Sequence, residues 1–157
     1  MIASLLAGLA GIMLWTTFPP IGAWWLCLPA LILLLLAVAQ AQSRCASGFT
    51  LQVAAPFTLC FFIPMTYWLT TVSAYVGPTM GYAAWLLAAL ALSLFWTAGF
   101  FVFALSRRWI PRLFHPRVCC LMWLATDLVR ARGPWASTYG VVWTPLIDAP
   151  FLPLWAS

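Results

Sequence analysis

Long apolar runs, broken at intervals by short polar or proline-containing stretches, set the pattern of the chain. A helix needs roughly 20 apolar residues to cross a bilayer. On that measure the runs predict about five spans, near residues 2–18, 23–39, 49–69, 81–105 and 118–130. The first, from Ile2 to Phe18, has neither the basic leader nor the small-residue cleavage site of a secretory signal and reads as a retained span. At 1.5 Å per residue it reaches only about 25 Å, short of the hydrocarbon core but workable with local thinning. Ala3, Ala7 and Gly11 recur every fourth residue, which offers one face for close helix contact. Pro19 and Pro20 then end the helix, because the first ring disfavours helix before it and opposes continuation.

The second span opens on Trp24 and Trp25, placed as interfacial anchors, and continues through Leu31 to Leu36. Residues 40–48, with Arg44, form a polar loop. The third span contains Pro56 and Pro64 and is expected to be a kinked helix whose freed carbonyls find partners on neighbours. Residues 70–80 are an uncharged loop with a turn signal at Gly77-Pro78. The fourth span sets Ala84, Ala88 and Ala91 on one face as a packing seam. Residues 106–117 make a basic loop holding Arg107, Arg108, Arg112 and Arg117. The fifth span is short and includes Asp127. Residues 131–150, rich in Trp, Tyr and Pro, read as an interfacial or re-entrant loop, and 151–157 as the first turns of a sixth helix. No repeat or linker divides the chain, so residues 1–157 form a single transmembrane domain. The expected class is all-α, a polytopic membrane helix bundle.

Composition agrees. Of 157 residues, 66% are hydrophobic and 6% charged, with a mean hydropathy of +1.04, so lipid is the solvent. The basic residues are all arginine, the acids are Asp127 and Asp148, and the one histidine is His115; lysine and glutamate do not occur. The arginines sit in short gaps between apolar runs, which argues topology rather than nucleic-acid binding. The positive-inside rule places the Arg44 loop and the 106–117 loop in the cytoplasm, and with them the N-terminus. The cysteines show no C-x-x-C and no histidine at ligand spacing, so no metal, cofactor or disulfide framework is indicated.

Two constellations carry candidate chemistry. Asp127 and Arg130 stand at i, i+3 on one helical face near the outer end of the fifth span. There they read either as an orienting ion pair or as charge lining a lipid or headgroup cavity. Gly133, Pro134 and Trp135 read as an interface-anchored turn or as the floor of a cavity. Tyr67, Trp68, Trp135 and Trp143 read as aromatic-belt residues, and His115 as a solvated loop residue.

Taken in order, Phe18-Pro19-Pro20, Trp24, Tyr67-Trp68-Leu69, Gly77, Ala89 through Leu105 and Ser106-Arg107 begin a series. It ends in Trp123-x-x-Thr126-Asp127-x-x-Arg130, Pro134-Trp135, Tyr139-Gly140 and Asp148-Ala149-Pro150. This series resembles the N-terminal membrane region of bacterial apolipoprotein N-acyltransferases. The chain departs from that family's pattern where the family usually has Glu at the position of Asp127, glycines along the third span, and a longer insert before Pro134-Trp135.

The resemblance implies a multi-pass protein of the bacterial inner membrane. It also implies a following nitrilase-like domain with a Glu-Lys-Cys triad, in which a thiolate attacks a phospholipid ester, Glu is the base and Lys helps hold the oxyanion. With no Glu and no Lys, the chain is expected to be a truncated or divergent relative, inactive by itself. Asp127, Arg130, Pro134, Trp135 and Tyr139 are its expected structural or lipid-cavity residues. Its expected partners are membrane lipids, other membrane helices or a missing catalytic part, and no nucleic acid. Two alternatives are a plasmid conjugal-transfer relative of the same family and a non-enzymatic membrane scaffold.

Overall fold

The computed structural model of the protein describes residues 1–41 and 43–109, with the single positions 118, 121 and 125. All its described elements are helical, in agreement with the expected all-α class. The four main helices are α1 (Ile2–Thr16), α2 (Trp24–Ala41), α3 (Ala46–Val76) and α4 (Pro78–Trp109). By length and composition α2, α3 and most of α4 can cross a membrane, whereas α1 is apolar but shorter.

The end of α1 is closed by its own side chains. The hydroxyls of Thr16 and Thr17 donate to the carbonyls of Met13 and Leu14 at 2.7 and 2.6 Å, adding to the backbone bond that the Thr17 amide makes to Leu14. Phe18 turns inward and is buried. The amides of Ile21 and Gly22 both donate to the Phe18 carbonyl, and Gly22 takes a φ of 67° that a side chain would oppose. This turn returns the chain to α2, whose first turn is a 3-10 segment at Trp24–Leu26. Along α2 the buried positions Cys27, Ala30, Leu34, Ala37, Val38 and Ala41 follow helical spacing and form one face.

The polar loop expected over 40–48 is shorter than its composition suggests. Gln40 and Ala41 complete α2, and α3 resumes at Ala46, where Cys45 holds the extended conformation of a helix N-cap. A helix end near the membrane gains by closing backbone hydrogen bonds early, and Ala46, Ser47 and Gly48 offer no steric objection.

Inside α3 the winding changes twice, each time beside a proline. Ahead of Pro56 the segment Thr50–Ala54 is π-wound, and the Ala55 amide reaches back to the Thr50 carbonyl. Pro56 then falls in the first turn of the following α segment, where its missing N–H is least costly. After Pro64 the Thr66 amide and hydroxyl both donate to the Phe62 carbonyl, and a 3-10 run, Tyr67–Val72, follows. Where a kink was expected, the helix changes its winding beside both prolines.

The uncharged loop expected over 70–80 is also helical. Helix continues to Val76, and only Gly77, at φ 89°, reverses the chain before α4 begins at Pro78. A Cβ on Gly81 would lie 2.5 Å from Ser73 Cβ and 2.7 Å from Ser73 Cα, so the hairpin closes only because this residue has none. At its other end α4 carries Ser106, Arg107 and Arg108 on helix, four residues beyond the expected boundary of 105.

Packing places α1 against both α2 and α3, and α3 against α4. The small-residue stripe of α1 makes the contact its spacing predicts. Ala3, Ala7, Ala10 and Gly11 are buried, and a Cβ on Gly11 would lie 2.5 Å from the Phe57 carbonyl oxygen. The seam expected on α4 is corrected. Ala84 and Ala91 are exposed and Ala88 is half-buried, while Ala89, Ser93, Trp96, Phe100 and Phe103 are buried. The aromatic face wins because it meets rings on α3: Phe57 with Phe100 and Phe49 with Phe103, each at 6.1 Å between centroids, and Phe62 with Trp96 at 6.2 Å. Such contacts remove more apolar surface than alanine methyl groups do.

Of the expected fifth span only Val118, Leu121 and Ala125 are described, all helical. The remainder of that span, the 131–150 loop and the start at 151–157 lie outside the described residues.

Candidate functional site

Because successive helices run in opposite directions, the bundle has two distinct ends. One end gathers the start of α1, the end of α2 and the start of α3. The other gathers the end of α1, the proline turn, and the α3–α4 reversal with the residues flanking it.

At the second end the helices separate. Trp15, Pro19 and Pro20 on one side and Pro64, Tyr67 and Trp85 on the other border a groove of about 500 Å³. Proline rings and indoles do not interdigitate as small side chains do, and the 3-10 run after Pro64 diverts α3 from ideal helical register. Trp85 fixes the floor. Its indole N–H donates to the Ile63 carbonyl at 2.9 Å, and its ring stands edge-on to Tyr67 at 5.5 Å and 90°. Tyr82 approaches the same indole at 6.4 Å.

A second hollow of about 270 Å³ adjoins the first and shares Met65 and Trp68 with it. Phe62, Thr66, Ala88 and Leu92 complete its walls between α3 and α4. The linings are mainly apolar, with two hydroxyls, that of Tyr67 in the groove and that of Thr66 in the hollow, the latter committed to the Phe62 carbonyl. Chemically this suits a hydrocarbon chain, and it offers no nucleophile or base. No group of His, Cys, Asp or Glu able to hold a metal occurs among the described residues.

Between the two ends two hydrogen bonds join α3 to α4. The hydroxyls of Thr58 and Thr97 lie 3.0 Å apart, and Ser93 donates to the Thr58 carbonyl at 3.3 Å. Thr58 also donates to the Ala54 carbonyl at 2.9 Å, so this hydroxyl is fully used within the bundle. At the first end, the Ser47 hydroxyl, 3.3 Å from Cys45 Sγ, pulls the exposed Cys45 thiol below its ordinary pKa, assisted by the Gly48 backbone.

The residues singled out from sequence divide sharply. Asp127, Arg130, Pro134, Trp135 and Tyr139 lie outside the described residues, as do His115 and Trp143. Tyr67 and Trp68, read as belt residues, both border the groove. Trp15, Trp85, Pro19 and Met65 were not singled out for it. They come from three helices and a turn, and no local pattern joins them. The one available signal is that aromatic and proline residues cluster on both sides of the same membrane boundary in the predicted spans.

An all-α arrangement of long apolar helices defines the class as an all-α membrane protein. The sequence profile of the apolipoprotein N-acyltransferase N-terminal domain matches residues 10–157, and the chain belongs to that family. It is 35% identical over 85 residues to an apolipoprotein N-acyltransferase of Mycolicibacterium smegmatis (strain ATCC 700084 / mc(2)155). That match covers 54% of this chain and 13% of the length of the relative. No solved structure matches.

Proposed function

We propose that the chain is the membrane part of an apolipoprotein N-acyltransferase-like protein and that its groove holds the acyl chain of a phospholipid donor. In this reading it crosses the bacterial inner membrane several times with its N-terminus in the cytoplasm, since the Arg44 loop and the run from Arg107 to Arg117 hold five of the seven arginines. The groove bordered by Trp15, Pro19, Tyr67 and Trp85 then faces the extracytoplasmic leaflet. Family membership and the apolar lining of this groove support the reading, and the groove is the observation that carries it. Residues 1–157 contain no Glu and no Lys, so in this reading this region supplies binding and orientation, and the thiolate, base and oxyanion donor of the family's chemistry come from outside it.

The test uses the purified chain in nanodiscs containing a phospholipid with a photoactivatable group on its acyl chain. Crosslinks should concentrate on residues 62–69 and 85–92, and Ala88→Trp, which fills the hollow between α3 and α4, should lower their yield several-fold. Even labelling of outward positions such as Leu5, Leu28 and Ile32 would sink the groove assignment. A covalent acyl adduct formed on the chain by itself would overturn the division of labour.

A further inference from the structure

We propose that the groove and the hollow beside it form one seat for a diacyl lipid, with a chain in each and with Met65 and Trp68 as the ridge between them. This rests on the reading of the groove as an acyl site and adds that Ala88 and Ala91 make the room for a second chain.

The ridge follows from the winding of α3. At about 100° per residue, Ile63, Pro64 and Tyr67 fall on one flank of the helix and Phe62, Thr66 and Leu69 on another. The first three border the groove and the second three the hollow. Met65 and Trp68 fall between the flanks and border both. One straight chain therefore lies to one side of this ridge or to the other, whereas two chains joined at a single headgroup can straddle it.

The hollow is a gap between two places where α3 and α4 are pinned together. Toward the reversal of the chain, Ser73 meets Gly81 with no room for a side-chain carbon. In the other direction the hydroxyls of Thr58 and Thr97 lie 3.0 Å apart, Ser93 donates to the Thr58 carbonyl, and the rings of Phe62 and Trp96 meet at 6.2 Å. Between these pins α4 turns Ala88 and Ala91 to the hollow, while Leu86, Leu87, Leu90 and Leu94 are large and exposed. The helix is not short of bulk. It is small where the hollow needs it to be.

The volumes give the two sides different capacities. A methylene group fills about as much space as a water molecule, roughly 30 Å³, so a groove of about 500 Å³ holds roughly 17 carbons and a hollow of about 270 Å³ roughly 9. The groove thus suits a whole membrane acyl chain and the hollow about half of one. A monoacyl lipid fills the groove and leaves the hollow. Because packing rather than hydrophobic force holds a chain against helices in lipid, a lipid that has lost one chain is held more weakly than its diacyl parent.

Photocrosslinking of the chain in nanodiscs tests the seat with two probes, phosphatidylglycerol carrying a diazirine in both acyl chains and its monoacyl counterpart. The diacyl probe should label Trp15 and Trp85 in the groove and Ala88 and Leu92 in the hollow. The monoacyl probe should label the groove alone. Ala88→Leu and Ala91→Leu each narrow the hollow, and Ala91 is exposed enough that the second variant does not disturb the core. Both should lower diacyl labelling of Leu92 several-fold and leave monoacyl labelling of the groove unchanged.

Equal labelling of groove and hollow by the monoacyl probe would overturn the seat, because a single chain would then serve both. So would a fall in monoacyl labelling of the groove in the two variants, which would make groove and hollow one space. If the diacyl probe labels the groove and leaves the hollow blank, the two-chain reading fails while the groove still holds a chain. Labelling of both no stronger than that of the outward Leu5, Leu28 and Ile32 would instead sink the groove reading and the seat with it.

Discussion

The contact of α1 with α3 and the groove at the end of α1 are built from the same two helices yet behave as opposites. Along the contact, Gly8 and Gly11 let the backbones approach until a single added carbon on Gly11 would overlap the Phe57 carbonyl. At the end, Trp15, Pro19 and Pro64 hold the helices apart and leave about 500 Å³ between them. In lipid no hydrophobic force favours helix against helix over helix against acyl chain, so close packing is itself the adhesive. Where packing is perfected the bundle coheres. Where rings prevent it, a hydrocarbon chain becomes the better filler.

The strongest way to break this contrast is Gly11→Leu. Its side chain must displace α1 from α3, and we expect a loss of about 3 kcal/mol, seen as a lowered melting temperature in detergent. Ala88→Leu, in the hollow between α3 and α4, should cost less than about 1 kcal/mol in the same assay, because space is available. Equal losses would mean that the two regions do not differ in packing.

A smaller effect is expected of Trp85→Phe, which keeps a ring in the groove floor but leaves the Ile63 carbonyl without its indole donor. The expected loss is about 1 kcal/mol, and acyl crosslinking should fall with it. Unchanged stability would show that the indole acts by shape and not by its hydrogen bond. Smallest should be the coupling of Thr58 to Thr97. A double-mutant cycle with Thr58→Val and Thr97→Val should give about 0.6 kcal/mol, typical of hydrogen bonds between helices in membranes. A coupling of zero would leave the Ser93 and Trp85 hydrogen bonds to α3 carbonyls and the aromatic packing to tie α3 to α4.

The tight contact of α1 was legible in the sequence because three small residues at a spacing of four admit few other meanings. The seam of α4 was not. Alanines at positions 83, 84, 88, 89 and 91 fall on several faces, so picking three of them was arbitrary, whereas Trp96, Phe100 and Phe103 marked the buried face at the same period. The helical course of residues 70–76 was hidden for another reason. Thr70, Thr71 and Val72 are weak helix formers, and what holds them is the approach of Ser73 to Gly81 on the following helix.

The groove was legible only in fragments. Tyr67 and Trp68 stood out, but their partners lie far away in sequence and meet only once the helices are assembled. The expected site residues Asp127, Arg130, Pro134, Trp135 and Tyr139 came from local motifs and family resemblance, and they lie outside the described residues.

Reversal of the chain at Gly77 alone also makes the third and fourth helices a single geared unit. With no slack between them, one residue inserted at that position would rotate the whole of α4 by about 100° relative to α3. Ser93, Trp96 and Phe100 would swing away from Thr58, Phe62 and Phe57 together. An insertion there should therefore lower the melting temperature in detergent sharply.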